Sequence, residues 1–267
     1  MLIPALANRS PTRPPGYTVG QLTLYEDSGA YAAGLTADDT ARWLVALTEG
    51  RLYPEPYGNA EALWLEKGGA YVVANIRGGS EYGPRWHQAA LRENRHRAYE
   101  DFAAVARDLV ATGLTSPEHL GMMGGSNGGL LAGNMLTQYP ELFGAIVIRV
   151  PLLDMQRYHT LLAGASWMAE YGDPDDPADW EFIRGFSPYH LFDADREYPP
   201  TLIMTSTRDD RVHPGHARKF MAKMLEAGKD VRYYENIEGG HGGAADNRQR
   251  AHMDALYLEF LWRHLAS

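Results

Sequence analysis

The sequence predicts an α/β protein with a mostly parallel sheet flanked by helices. From about residue 60 onward, short β-branched runs alternate with amphipathic helical stretches, the pattern written by strands joined through helical crossovers. The 267 residues are 45% hydrophobic and 22% charged, an ordinary globular balance in a chain long enough to bury a full core.

Each element follows in turn. Ala70 to Ile76 is mostly apolar and bounded by Gly68-Gly69 and Gly78-Gly79, so it reads as a buried strand. Phe102, Val105, Ala106, Leu109 and Val110 recur at helical spacing, and Gly113 stands where a helix would stop. Leu120 to Met123 reads as a strand running into Gly124, and Gly129 to Leu136 as helix. Ala145 to Val150, Thr201 to Thr205 and Val231 to Glu235 are three more strands. Between the last two, Ala217, Phe220, Met221, Met224 and Leu225 form an apolar stripe ending at Gly228. Met253, Leu256, Tyr257, Phe260 and Leu261 mark a final helix. The stretch from Tyr158 to Arg196, rich in Trp, Tyr, Asp and Pro, reads as a helical insertion over the sheet. Residues 1–58 carry many Gly, Pro and Thr, and only Leu22 to Tyr25 and Arg42 to Leu47 suggest elements. The expectation is an irregular N-terminal segment, 1–58, followed by one catalytic domain, 59–267.

Charge and composition narrow the partners. A formal net charge of −9 offers no footprint for nucleic acid. Zero cysteines exclude a disulfide framework and a thiolate metal site. No apolar run near the N-terminus suits a signal peptide, and none approaches the roughly 18 to 20 residues of a membrane span. The reading is a cytoplasmic protein with no membrane partner.

The chemistry lies in Gly124-Gly125-Ser126-Asn127-Gly128, a G-x-S-x-G run between an expected strand and an expected helix. A tight strand-to-helix turn holds the serine in strained backbone, and its neighbours two positions away are expected to be glycine because side chains there would collide. The turn lifts Oγ above the sheet and aims the following N–H groups at a developing oxyanion. Asp209 follows the strand from Thr201, and His241 lies in Gly239-Gly240-His241-Gly242-Gly243 after the strand from Val231. Both fall at the carboxyl edge of the sheet, where α/β proteins assemble their sites. The order Ser126, Asp209, His241 is that of the α/β-hydrolase fold, with serine as nucleophile, aspartate orienting and histidine as general base. Glycines around His241 suit close approach of another group. His213 and His216 beside Asp209 and Asp210 match no zinc or iron spacing, and neither a dinucleotide fingerprint nor a Walker lysine is present. No metal or cofactor is implied.

Gly124 to Gly129, Ala74 to Gly79 with Glu81-Tyr82-Gly83 and Trp86-His87, Asp209-Asp210-Arg211-Val212 and Gly240-His241-Gly242 together resemble the catalytic domain of the prolyl oligopeptidase family of serine peptidases. The resemblance covers about residues 60 to 267 and favours Asp209 over Asp210. It implies that Asn127 supplies the backbone oxyanion donor and that Arg211 binds a substrate carbonyl. It also implies an S1 pocket lined by Trp167 and Tyr171, with Val212 and Leu152 beside them. An indole stacked on a pyrrolidine ring is a sound basis for selecting proline. Glu170 and Asp173 lie nearby, so a trypsin-like pocket for Arg or Lys stays open.

Two departures stand out. The family's β-propeller has no counterpart in 267 residues, and neither does its Tyr-Gly-Gly-Phe stretch, where Tyr is the second oxyanion donor. Aligning Pro56-Tyr57 with the family's Pro-Tyr pair puts that tyrosine near Leu47, with Tyr53 and Tyr57 as the nearest substitutes. The expectation is a sheet lacking its first strands and slow hydrolysis. The expected function is a serine peptidase cutting short peptides on the carboxyl side of proline through an acyl-enzyme. A general carboxylesterase or acylaminoacyl peptidase acting on a small ester, and a truncated binding protein without activity, are the alternatives. The oligomeric state is not legible.

Overall fold

The computed structural model describes residues 2–3, 45–46 and 59–266. Among these residues the sheet has seven strands: β1 (Leu2–Ile3), β2 (Val45–Ala46), β3 (Ala70–Val73), β4 (Gly121–Gly125), β5 (Ala145–Arg149), β6 (Thr201–Ser206) and β7 (Val231–Asn236). They lie in the order β2-β3-β1-β4-β5-β6-β7. Strands β4 to β7 are parallel neighbours, whereas β1 runs antiparallel to β3 and β4, and β2 antiparallel to β3.

The expected absence of the first strands is therefore corrected, since two pieces of the N-terminal segment pair into the sheet. Val45–Ala46 falls inside the Arg42 to Leu47 stretch, but a strand of two residues is too short to write a period-2 pattern. Leu22 to Tyr25 lies outside the described residues.

Nine helices flank the sheet among the described residues: α1 (Asn59–Glu66), α2 (Pro84–Gln88), α3 (His96–Ala111), α4 (Asn127–Gln138), α5 (Met168–Tyr171), α6 (Pro177–Ile183), α7 (Pro188–Leu191), α8 (Gly215–Glu226) and α9 (Asn247–Leu265). The central strands are mostly apolar because both faces are covered. On β5, Ile146 and Ile148 join the core shared with α3, α4 and α8, while Ala145 and Val147 join the core shared with α1 and α9. Strand β6 divides the same way, Ile203 to the first core and Leu202 and Met204 to the second. That alternation between two buried faces is the signature of a parallel sheet. Gly113 (φ +73°) and Gly228 (φ +70°) end α3 and α8 in the left-handed conformation that glycine adopts without a Cβ penalty. The helical insertion expected between β5 and β6 is present as α5, α6, α7 and intervening 3₁₀ turns.

One buried imidazole fixes the start of that insertion. His216, on α8 and 2% exposed, accepts the N–H groups of Leu153 (3.3 Å) and Asp154 (3.0 Å) through Nδ1. Burial pushes its pKa down to about 4, with Asp154 opposing the shift. The unfolded chain therefore takes up this proton first as pH falls. The contribution of neutral His216 is complete above about pH 6.5 and is lost progressively towards pH 4, about 3 kcal/mol in all at about 1.36 kcal/mol per unit. Urea midpoints measured from pH 7 to 4.5 should fall more steeply for the wild type than for His216→Gln. Parallel slopes would remove His216 as a cause.

Candidate active site

Ser126 stands between β4 and α4 with φ +58° and ψ −116°, a strained conformation for a side-chain-bearing residue, at a cost of about 1–3 kcal/mol. Its N–H is held by the Arg149 carbonyl at 3.0 Å. A Cβ on Gly124 would lie 2.0 Å from the Gly128 carbonyl oxygen, so glycine is required there. Gly129 is also confined, since a Cβ would lie 2.7 Å from the Arg149 carbonyl oxygen and 2.8 Å from Pro151 Cα. Gly128 itself is different. A Cβ there would meet nothing within 4 Å, which corrects the expectation that both flanking glycines avoid collisions. The close approach is made by the backbone of residue 128 towards residue 124, and only the second needs to lack a side chain. Asn127 opens α4, so its N–H is among the first-turn donors that no helical carbonyl can reach.

Asp209 and His241 come to this serine from the ends of β6 and β7. The Asp209 side chain is fully buried, and its Oδ1 accepts the N–H groups of Arg211 and Val212, each at 2.9 Å. His241 Nδ1 donates to Asp209 at 2.9 and 3.0 Å, and Nε2 lies 3.0 Å from Ser126 Oγ. An ionised aspartate can only accept, so this network assigns the imidazole proton to Nδ1 and leaves Nε2 to accept from the serine hydroxyl. Asp210 is exposed and takes no part in this network. The glycines around His241 serve the loop itself. A Cβ on Gly239 would lie 2.0 Å from the Gly243 carbonyl oxygen, which also accepts from Ser206 Oγ and Asn236 Nδ2, and Gly243 has φ +85°. A Cβ on Gly242 would meet nothing within 4 Å and one on Gly240 only ordinary contacts at 3.9–4.0 Å, so the tight approaches lie at the outer pair.

A cleft of about 530 Å³ opens beside Ser126, lined by Asn127, Leu152, Trp167, Glu170, Tyr171 and Arg211 among others. Val212 is not among those residues. It is 2% exposed in the core, and its N–H holds Asp209. Tyr171 is also buried, at 3%, and its hydroxyl donates to Asn127 Oδ1 at 2.9 Å. Burial first of all raises the Tyr171 pKa well above the ordinary phenol value, so the hydroxyl keeps its proton.

Three further residues shape the cleft; His87 entered the sequence reading only as part of the resemblance, and Arg95 and Asp101 not at all. Arg95, its side chain 5% exposed, donates to Glu170 Oε1 at 2.7 Å and to Asn127 Oδ1 at 2.5 Å. His87 Nε2 meets the other Glu170 oxygen at 2.9 Å. Asp101 accepts both the Arg77 backbone N–H (2.9 Å) and Arg77 Nε (2.8 Å), tying the chain just before Gly78, on the cleft wall, to α3. These pairs join positions 24 to 83 residues apart, so no local pattern announces them. Glu170 is thus already neutralised by a buried guanidinium.

His213 and His216 do not gather with the aspartates as ligands, since His213 Nδ1 accepts the Gly215 N–H at 2.9 Å and His216 is occupied as described. Among the described residues, ligand atoms of His159, Asp173 and Asp175 lie within 4.8 Å of one another, but Asp175 is largely exposed and pairs with His159. No described helix is long and apolar enough to cross a membrane. Leu47, Tyr53 and Tyr57, the positions tied to a second oxyanion donor, lie outside the described residues.

Known proteins are similar to this chain in sequence and in fold. The uncharacterized peptidase y4nA of Sinorhizobium fredii is 55% identical over 203 residues, which cover 76% of this chain and 28% of that protein. The prolyl endopeptidase of Elizabethkingia miricola is 38% identical over 203 residues, 74% of this chain and 29% of that one. Among solved structures, a post-proline cleaving enzyme from Rickettsia typhi is 43% identical with a TM-score of 0.71, covering 73% of this chain and 28% of its own. The chain thus spans under a third of the length of these relatives. With the family model described as the prolyl oligopeptidase family matching residues 56–267, the chain belongs to the prolyl oligopeptidase family, whose catalytic domain is an α/β-hydrolase.

Proposed function

We propose that this chain hydrolyses peptides through an acyl-enzyme on Ser126 and that its cleft receives proline on the acyl side of the cut bond. The observation that carries this reading is the position of His241 between Ser126 Oγ and the buried Asp209 carboxylate. His241 Nε2 takes the hydroxyl proton as Oγ bonds to the scissile carbonyl carbon, and Asp209 stabilises the imidazolium through Nδ1–H. The carbonyl oxygen becomes an oxyanion facing the Asn127 N–H. As the C–N bond breaks, His241 returns its proton to the leaving amine. Water then repeats the sequence on the ester, with His241 again as base, and releases the acid and free Ser126.

Support for proline comes from the cleft's composition. Trp167 presents apolar surface, with the buried Leu152 behind the cleft wall, which a pyrrolidine ring can cover without asking for hydrogen bonds. Glu170 is paired with Arg95 and His87, and Asp173 is not among the cleft's lining residues, which counts against the trypsin-like alternative. The relatives' names, prolyl endopeptidase and post-proline cleaving enzyme, agree. Arg211, an exposed residue lining the cleft without an ion-pair partner among the described residues, supports a role in binding a carbonyl of a longer peptide.

Trp167→Ala should lower kcat/KM for an N-blocked Gly-Pro chromogenic amide by about 1–3 kcal/mol, roughly 5- to 150-fold, and affect a short-chain nitrophenyl ester far less. Equal losses on both substrates would confine Trp167 to support of the fold. Wild-type turnover of the ester with none of the amide would replace the peptidase reading with that of a carboxylesterase.

A further inference from the structure

The oxyanion donor assigned to Asn127 depends on the orientation of one peptide group, and that group belongs to an exposed residue at the strained end of a helix. Something must hold it. The Asn127 side chain is gripped at a single atom, Oδ1, by two donors, Arg95 Nη2 at 2.5 Å and the Tyr171 hydroxyl at 2.9 Å. Arg95 precedes α3 and is itself almost wholly buried. Its other terminal nitrogen holds Glu170, and its guanidinium lies over the Tyr171 ring at 5.2 Å. One planar fork therefore joins the elbow to two residues of α5 that line the cleft. Those segments are 32, 75 and 76 positions away along the chain.

We propose that Arg95 is a positioning residue for the oxyanion donor: by fixing the Asn127 side chain against α5, it holds the Asn127 N–H on the line where negative charge develops. This rests on the acyl-transfer reading above. A fork is needed because two acceptors in different directions must be satisfied at once, which the single ammonium of lysine cannot do in the same geometry. A donor slightly out of place still allows substrate to bind, since its main contact forms in the transition state. The loss therefore falls on kcat.

The test uses the full chain with a short-chain nitrophenyl ester, comparing wild type, Arg95→Lys, Asn127→Ala and the double variant, with melting curves to establish folding. Asn127→Ala keeps the backbone N–H and removes the side-chain amide, Oδ1 with it. Each single variant should lose about 10- to 100-fold in kcat with KM within about twofold, and the double variant should lose no more than the worse single one, because both break one contact. An Asn127→Ala enzyme with wild-type kcat would overturn the proposal even if Arg95→Lys fails to fold. So would losses that multiply in the double variant, or losses confined to KM. An inactive wild type would overturn the acyl-transfer reading and this proposal with it, whereas an active wild type with unaffected variants would overturn this proposal alone.

Discussion

Ser126→Ala and His241→Ala are expected to reduce kcat to the same residual level, a loss on the order of 10⁶, as when the nucleophile or base is removed from other serine-protease triads. The double variant should be no slower than either single one. The reason is geometric. Ser126 Oγ reaches His241 through one 3.0 Å hydrogen bond, and the imidazole is oriented by one carboxylate, so in the proposed mechanism removing either member removes the same step. Residual turnover would come from the Asn127 N–H and from substrate binding in the cleft. Steady-state rates of the three variants on the same ester check this. Losses that multiply would mean the two side chains act in separate steps.

The second large effect concerns the elbow. Gly124→Ala places a methyl 2.0 Å from a backbone oxygen that cannot move without unwinding the first turn of α4. A destabilisation of about 3 kcal/mol or more is expected, which lowers the melting temperature by roughly 6–12 °C in a domain of this size. Gly128→Ala is the matched control. Its new methyl would meet nothing within 4 Å, so its stability should stay within about 1 kcal/mol of wild type. Calorimetry on both decides the matter. Equal damage from the two substitutions would mean the whole glycine pair is sterically required, as the motif alone suggests.

These glycines show how far the sequence could be read. The pentapeptide located the elbow because its signal is local, a serine flanked by glycines between an apolar run and a helical stripe. Which glycine is under pressure depended on how Gly128's carbonyl folds back over residue 124, and that is not written in residue type. Strands such as Ala145–Arg149 were legible to within a residue, because burial on both faces leaves a continuous apolar run. Leu225 is a counterexample. It sat in the expected stripe of α8 but is 61% exposed, since Ala217, Phe220 and Met224 carry the buried face and the next residue is turned about 100° away from it. Ser126 and His241 could be read from chain order and loop placement, whereas choosing Asp209 over the adjacent Asp210 drew also on the family resemblance. Arg95 could not, since its meaning comes from partners on α4 and α5 that only the tertiary fold brings to it.

The central claim, that Ser126 is a nucleophile activated by His241, is tested most directly by reacting the chain with a fluorophosphonate probe and locating the adduct by peptide mass spectrometry. A single covalent adduct on Ser126 is expected, lost in Ser126→Ala and strongly slowed in His241→Ala. Intact protein with no adduct on Ser126, or labelling of Ser126 that proceeds equally fast without His241, would contradict it.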